Sequence, residues 1–73
     1  MTKESLPPFL LAFGWTPITS KNPYMISFIN EDSFRMNVYF TTWTVTIQDL
    51  GRGIQTWKDI TTFEKMEEIL HAL

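Results

Sequence analysis

The side chain in this sequence best suited to catalysis is His71, the one histidine of the chain. General acid–base catalysis needs a titratable group that is positioned in a substrate pocket. His71 instead follows Glu67 by four residues and Glu68 by three, in the last turn of a predicted helix. The helix dipole and an i, i+4 ion pair both favour a cation there. We therefore interpret His71 as structural and predict no catalytic residue and no enzyme.

Two other patterns could bind ligands. Glu31 and Asp32 lie between two predicted strands, where a solvated turn is a simpler interpretation than a metal site. Gly51-Arg52-Gly53 lacks the spacing of a phosphate-binding loop, so we interpret it as a turn with Arg52 as a candidate anion contact. Cysteine is absent, which excludes disulfides, cysteine zinc sites and thiol chemistry. The sequence therefore predicts neither a metal nor a cofactor.

Length and charge narrow the class of protein further. The 73 residues suit one domain, residues 1–73, with residues 1–4 expected to be frayed. Six Lys and Arg are scattered among eight Asp and Glu, and the net charge is −2. A general nucleic-acid binder instead shows a basic cluster. No segment resembles a signal peptide or a membrane span, so we expect a soluble cytoplasmic protein without a membrane partner.

Helices are predicted at both ends of the chain. The first covers residues 5–13, with Ser5 as its N-cap and Gly14 at its end, so that Trp15 folds back onto the last turn. The second begins at a capping box formed by Thr61 and Glu64. Its apolar stripe includes Met66 and Ile69, and all six phenylalanines are assigned to the core.

Between the helices, alternating apolar residues predict strands at 24–29, 34–40, 43–48 and 54–58, and an extended edge segment at 15–19 that contains Pro17. A three-residue loop at 30–32 would pair Phe28 with Phe34 and leave Ser27 on the outside. Up to Phe40 the apolar residues stand at even positions, and from Trp43 on they stand at odd positions. This change fits either a tight turn at Thr41-Thr42 or a bulge in one bent strand. The predicted fold class is α+β: a two-layer sandwich with an antiparallel sheet of three to four strands and both helices on one face.

The outer face of this sheet is the predicted binding surface. Its candidate contacts are Arg35, Tyr39, Thr44 and Thr46, because a tyrosine beside an arginine on an uncovered face is typical of protein interfaces. A threonine-rich exposed sheet is the equal alternative, since threonine favours strands. Arg52 and Trp57 are added as contacts near the last turn, although Trp57 could also pack under the second helix.

Three parts of the chain carry a resemblance to known proteins: Arg35-Met36-Asn37-Val38-Tyr39-Phe40-Thr41-Thr42 with Thr44-Val45, Gly53-Ile54-Gln55-Thr56-Trp57-Lys58 with the helix that follows, and Gly14-Trp15. They resemble a family of small uncharacterised proteins that are common in bacteriophages and mobile elements. The family often has a glycine where this chain has Trp43. The resemblance implies a phage-type accessory protein, which often binds and blocks a host protein in the host cytoplasm.

These observations favour a small non-enzymatic binding protein that inhibits or modulates a host protein, for example one of a defence system. Two alternatives from other classes remain. Aromatic residues near Arg or Lys could bind single-stranded nucleic acid, which the acidic balance disfavours. The chain could instead be a homodimeric structural or regulatory subunit, joined through the open sheet face or an edge strand.

Overall fold

The computed structural model of the protein describes residues 1–49, Gly51 and residues 53–73. This part of the chain forms two helices and five strands. In chain order they are α1 (Leu6–Leu11), β1 (Thr16–Ile18), β2 (Met25–Ile29), β3 (Arg35–Tyr39), β4 (Thr44–Asp49), β5 (Gly53–Trp57) and α2 (Phe63–His71). One antiparallel sheet has the order β1-β2-β3-β4-β5. The α+β class is confirmed, whereas the predicted count of three to four strands is wrong, because the edge segment around Pro17 also pairs.

Helix α1 begins at the expected place, but Ser5 does not cap it with its side chain. An N-cap hydroxyl accepts from the second or third helical amide, and these positions are Pro7 and Pro8, which have no N–H. The Ser5 hydroxyl instead accepts from the Thr2 amide (2.9 Å) and donates to the Thr2 carbonyl oxygen (3.0 Å). The two prolines thus remove the donors that a serine cap needs.

Helix α1 ends at Leu11, two residues before the predicted Phe13, whereas the glycine turn after it follows the prediction. Gly14 has a positive φ of 87°, a conformation that glycine adopts at little cost. The Trp15 amide donates to the Leu10 carbonyl oxygen and the Gly14 amide to that of Leu11, both at 3.0 Å. These are the two bonds of a Schellman motif. They turn the chain so that Trp15 is buried, with 3% of its surface exposed.

The β2–β3 hairpin has the predicted side chains on each face, but its strands pair in a different register. Phe28 pairs with Met36 rather than with Phe34, a shift of two residues that leaves every side chain on its expected face. The cause is the Asn30 side chain, whose Oδ1 accepts from the amides of Asp32 (3.0 Å) and Phe34 (2.9 Å). These bonds hold residues 30–34 in a loop and delay the start of pairing.

A turn, not a bulge, separates β3 from β4. The last pair before it is Tyr39 with Thr44, and the Thr42 amide donates to the Tyr39 carbonyl oxygen (3.3 Å). Trp43 closes the turn with a φ of 53°, the left-handed conformation that favours glycine. Its side chain packs against the core, and its carbonyl oxygen accepts from the Ile60 amide (2.9 Å). These contacts offset the backbone cost of a non-glycine residue there.

Helix α2 begins one residue later than the capping box predicted. Its N-cap is Thr62, whose Oγ1 accepts from the Lys65 amide (3.2 Å), so the pairing of Thr61 with Glu64 is wrong. Ile60 explains the shift, because its buried side chain and its bond to Trp43 hold the chain against the sheet just before the helix. The helix therefore starts only at Phe63.

The hydrophobic core combines both helices with one face of the sheet. Its buried members are Leu6, Leu10, Trp15, Phe28, Met36, Val38, Val45, Ile47, Ile60, Met66 and Ile69. The helices also touch each other, since the rings of Phe9 and Phe63 are 4.4 Å apart between centroids. The assignment of every phenylalanine to the core is wrong for Phe13, which is 38% exposed because it lies beyond the last turn of α1.

We expect Gly14→Ala to lower the free energy of unfolding by about 1–2 kcal/mol, the cost of a left-handed backbone for a residue with a Cβ. A Cβ at Gly14 would meet nothing within 4 Å, so the loss would report backbone strain alone. Urea denaturation measures it. Gly51→Ala is the matched control, since its Cβ would lie 3.9 Å from Asp49 Oδ1 and no positive φ requires glycine there. Equal losses in both variants would contradict this explanation.

Candidate binding surface

The pairing of the strands defines the sheet face that points away from the core. We name it the outer face, and neither helix of the described chain covers it, because both bury their side chains with the opposite face. Its paired residues are Thr16, Ile18, Met25, Ser27, Ile29, Arg35, Asn37, Tyr39, Thr44, Thr46, Gln48, Ile54 and Thr56.

A hydrogen-bond network lies at the centre of the outer face. Ser27 Oγ, fully buried, donates to Asn37 Oδ1 at 2.8 Å. Asn37 Nδ2 donates to Thr46 Oγ1 at 3.4 Å, so the amide bridges three neighbouring strands. Because Asn37 uses both its oxygen and its nitrogen, its side-chain orientation is fixed from both sides.

Arg35 extends this network towards one end of β3. Its Nε donates to Asn37 Oδ1 at 3.4 Å, and the side chain is otherwise exposed. Among the outer-face residues that the structure describes, Arg35 is the one that carries a charge. Its paired neighbours across the sheet are Ile29 and Gln48. The guanidinium is therefore anchored through one nitrogen on a surface that is otherwise neutral.

Tyr39 occupies the other end of β3. It pairs with Met25 on one side and with Thr44 on the other, and all three are partly buried. Thr44 shares a hydrogen bond with Thr42, with 2.9 Å between the Oγ1 atoms. At about 3.3 Å per residue, Tyr39 lies about 13 Å along the strand from Arg35. The two side chains thus mark opposite ends of one face.

The structure brings together four of the six candidate residues. Arg35, Tyr39, Thr44 and Thr46 share the outer face, as the sequence predicted. Trp57 does not join them: it pairs with Val45 on the core side and packs partly against the core. The sixth candidate, Arg52, lies outside the described residues.

Two exposed isoleucines of the outer face were not among the candidates. Ile29 is 41% exposed and Ile54 is 64% exposed. Ile29 lies two residues after Ser27 on β2, so the alternation of side chains predicts that both point to the outer face. Ile54 needed the pairing of β5 with Gln48 of β4, which the sequence alone did not provide.

The other surface features offer less for binding. An open depression of about 220 Å³ lies between the end of α1 and the loop after β2, lined by Phe13, Gly14, Asn30, Glu31 and Asp32. In the described part of the chain, no group of three or more His, Asp or Glu side chains is arranged to hold a metal ion. Nor does any helix there have the length and hydrophobicity to span a bilayer.

Comparison of the chain with protein-family models, curated proteins and solved structures found no match. The outer face and its chemistry are therefore the basis for a proposed function.

We expect Asn37→Ala to lower the free energy of unfolding by about 1–3 kcal/mol, because it leaves the buried Ser27 hydroxyl without its acceptor. Ser27→Ala added to Asn37→Ala should cost little more, since it removes the unsatisfied donor. A double-mutant cycle by urea denaturation measures this coupling between the two side chains. Strictly additive losses would contradict the network, and Thr41→Ala, which removes an exposed hydroxyl of the neighbouring turn, serves as a control.

Proposed function

We propose that this protein is a small non-enzymatic binding protein that uses the outer face to bind a host protein and to inhibit or modulate it. The observation that carries the proposal is the open, almost uncharged sheet face on which Arg35 and Tyr39 flank a hydrogen-bonded centre. The exposed Ile29 adds apolar surface to the same face, which favours a partner over a merely solvated sheet.

The composition of the outer face supports a protein partner. Interface cores are depleted in Lys, Glu and Asp and enriched in Tyr, Met and Arg. All eight Asp and Glu of the chain lie off this face, in loops, near the termini of elements or on α2. A face that is neutral apart from one arginine can be desolvated at lower cost than a typical charged surface.

The rigidity of the face also favours binding. The candidate residues lie on β3 and β4, two central strands that are each paired on both sides, and Asn37 Oδ1 accepts a hydrogen bond from Arg35 Nε. A side chain that is already ordered loses less conformational entropy when a partner binds. Arg35 and Tyr39 are therefore suitable anchor residues, with Thr44 and Thr46 as surrounding contacts.

The charge distribution favours a protein over a nucleic acid. Binding of nucleic acid depends on several Lys or Arg that neutralise phosphates, and single-stranded binders add a row of stacking aromatics. The outer face offers Arg35 as its basic residue and Tyr39 as its aromatic residue. The resemblance to phage-encoded proteins is the reason for proposing a host protein as the partner.

We expect the double variant Arg35→Ala/Tyr39→Ala to bind the partner at least about 30-fold more weakly, the loss that corresponds to about 2 kcal/mol for the pair, which is the threshold for a single hot spot. The tagged wild type first captures the partner from host lysate, and mass spectrometry identifies it. Isothermal titration with the purified partner then compares the variants. The matched control is Glu64→Ala/Glu68→Ala, which removes two exposed charges from α2. Unchanged affinity in a folded Arg35→Ala/Tyr39→Ala variant would refute the outer face as the binding site.

We also expect no binding of single-stranded oligonucleotides. Fluorescence anisotropy measures this binding. Low salt gives the most sensitive test, because electrostatic binding to phosphates weakens steeply as salt is added. Saturable binding at micromolar protein that is lost in Arg35→Ala would favour a nucleic-acid module over a protein-binding one.

A further inference from the structure

The two edges of the sheet differ in how open they are to another strand. Edge strand β1 has three residues, and Pro17 at its centre has no N–H to donate. Edge strand β5 has five residues, Gly53–Trp57, without a proline or a charge. Natural proteins protect exposed edges with prolines, charges or short strands. Among the described elements, only β4 pairs with β5, so its second side is open.

Apolar side chains flank this open edge on both faces of the sheet. Ile54 lies on the outer face and is 64% exposed, the highest value among the large hydrophobic residues described. Trp57 lies on the opposite face and is only partly buried. Above Gly53 there is open space, since a Cβ built there would meet nothing within 4 Å. An added strand would therefore cover apolar surface on both faces and not on one alone.

We propose that a second copy of this chain pairs with β5, antiparallel and around a two-fold axis, so that the two sheets become one. This inference is independent of the proposed function, because the contact is made by the edge and leaves the centre of the outer face free. Two-fold pairing also keeps the outer faces of both copies on the same side of the joined sheet.

The sequence of β5 is suited to pairing with itself. When the whole strand pairs over its length, Gln55 lies on the axis and Ile54 faces Thr56 of the second copy. β-branched side chains opposite each other stabilise antiparallel pairs. Trp57 then faces Gly53 of the second copy, where the space above the glycine admits the indole. Because residues 53–57 carry no charge, self-pairing brings no like charges together within the strand.

Analytical ultracentrifugation of the purified full chain tests the proposal. The wild type should show a reversible monomer–dimer equilibrium, and Thr56→Lys should weaken the association at least tenfold by placing a charge in the paired strand. Thr56 is exposed, and circular dichroism verifies that the variant is folded. Ile54→Lys provides a second variant of the same edge. The matched control is Thr16→Lys, at a threonine of β1 that is also exposed, and this variant should dimerise like the wild type.

Amide hydrogen exchange of the wild type provides a test that needs no variant. The amides of β5 that do not bond β4 should become protected as the protein concentration rises, while the outward amides of β1 should not. A monomer at all concentrations up to about 1 mM, or dimerisation unaffected by Thr56→Lys, would overturn the proposal. Loss of the dimer in Arg35→Ala/Tyr39→Ala but not in Thr56→Lys would overturn it too, since the copies would then associate through their outer faces.

Discussion

The structure depends on burying one face of the sheet. A chain of 73 residues without cysteine has no disulfide to stabilise it, so its helices and sheet must share a single core. Leu6 and Leu10 of α1 and Met66 and Ile69 of α2 supply the helical part of that core. Both helices are used on the same side of the sheet, and neither remains to cover the other side. The exposure of the outer face in the described structure thus follows from the placement of both helices on the core side of the sheet.

Local chemistry adjusts this arrangement at its connections. Asn30 organises the loop after β2 through two hydrogen bonds, and Gly14 turns the chain after α1. Trp43 and Ile60 join the β3–β4 turn to the segment before α2 through a backbone hydrogen bond. These contacts decide which residues enter the strands, how the chain turns after α1 and where α2 begins.

The alternation of apolar residues was sufficient to predict which side chains of β2, β3 and β4 lie on the outer face, because successive side chains of a strand point to opposite faces. The register of the strand pairs and the number of strands were harder to predict. The bonds of Asn30 moved the pairing of β2 and β3 by two residues, which this alternation cannot detect. The prediction of a Ser5 side-chain cap was wrong because Pro7 and Pro8 have no N–H to donate. The sequence alone was sufficient to exclude this cap. The position of Trp57 required the pairing of β4 with β5, which is a long-range property that no local pattern reveals.

The sequential order of the strands has a consequence for how the chain folds. Every strand pairs with its neighbour in sequence, so the sheet can form by successive short hairpin closures, which keeps the loop-closure entropy small and folding fast. The core, in contrast, lacks Met66 and Ile69 until α2 has docked. A folding intermediate in which α2 has not yet docked would expose the apolar sheet surface that Met66 and Ile69 cover, so the docking of α2 is the step that protects the sheet from aggregation.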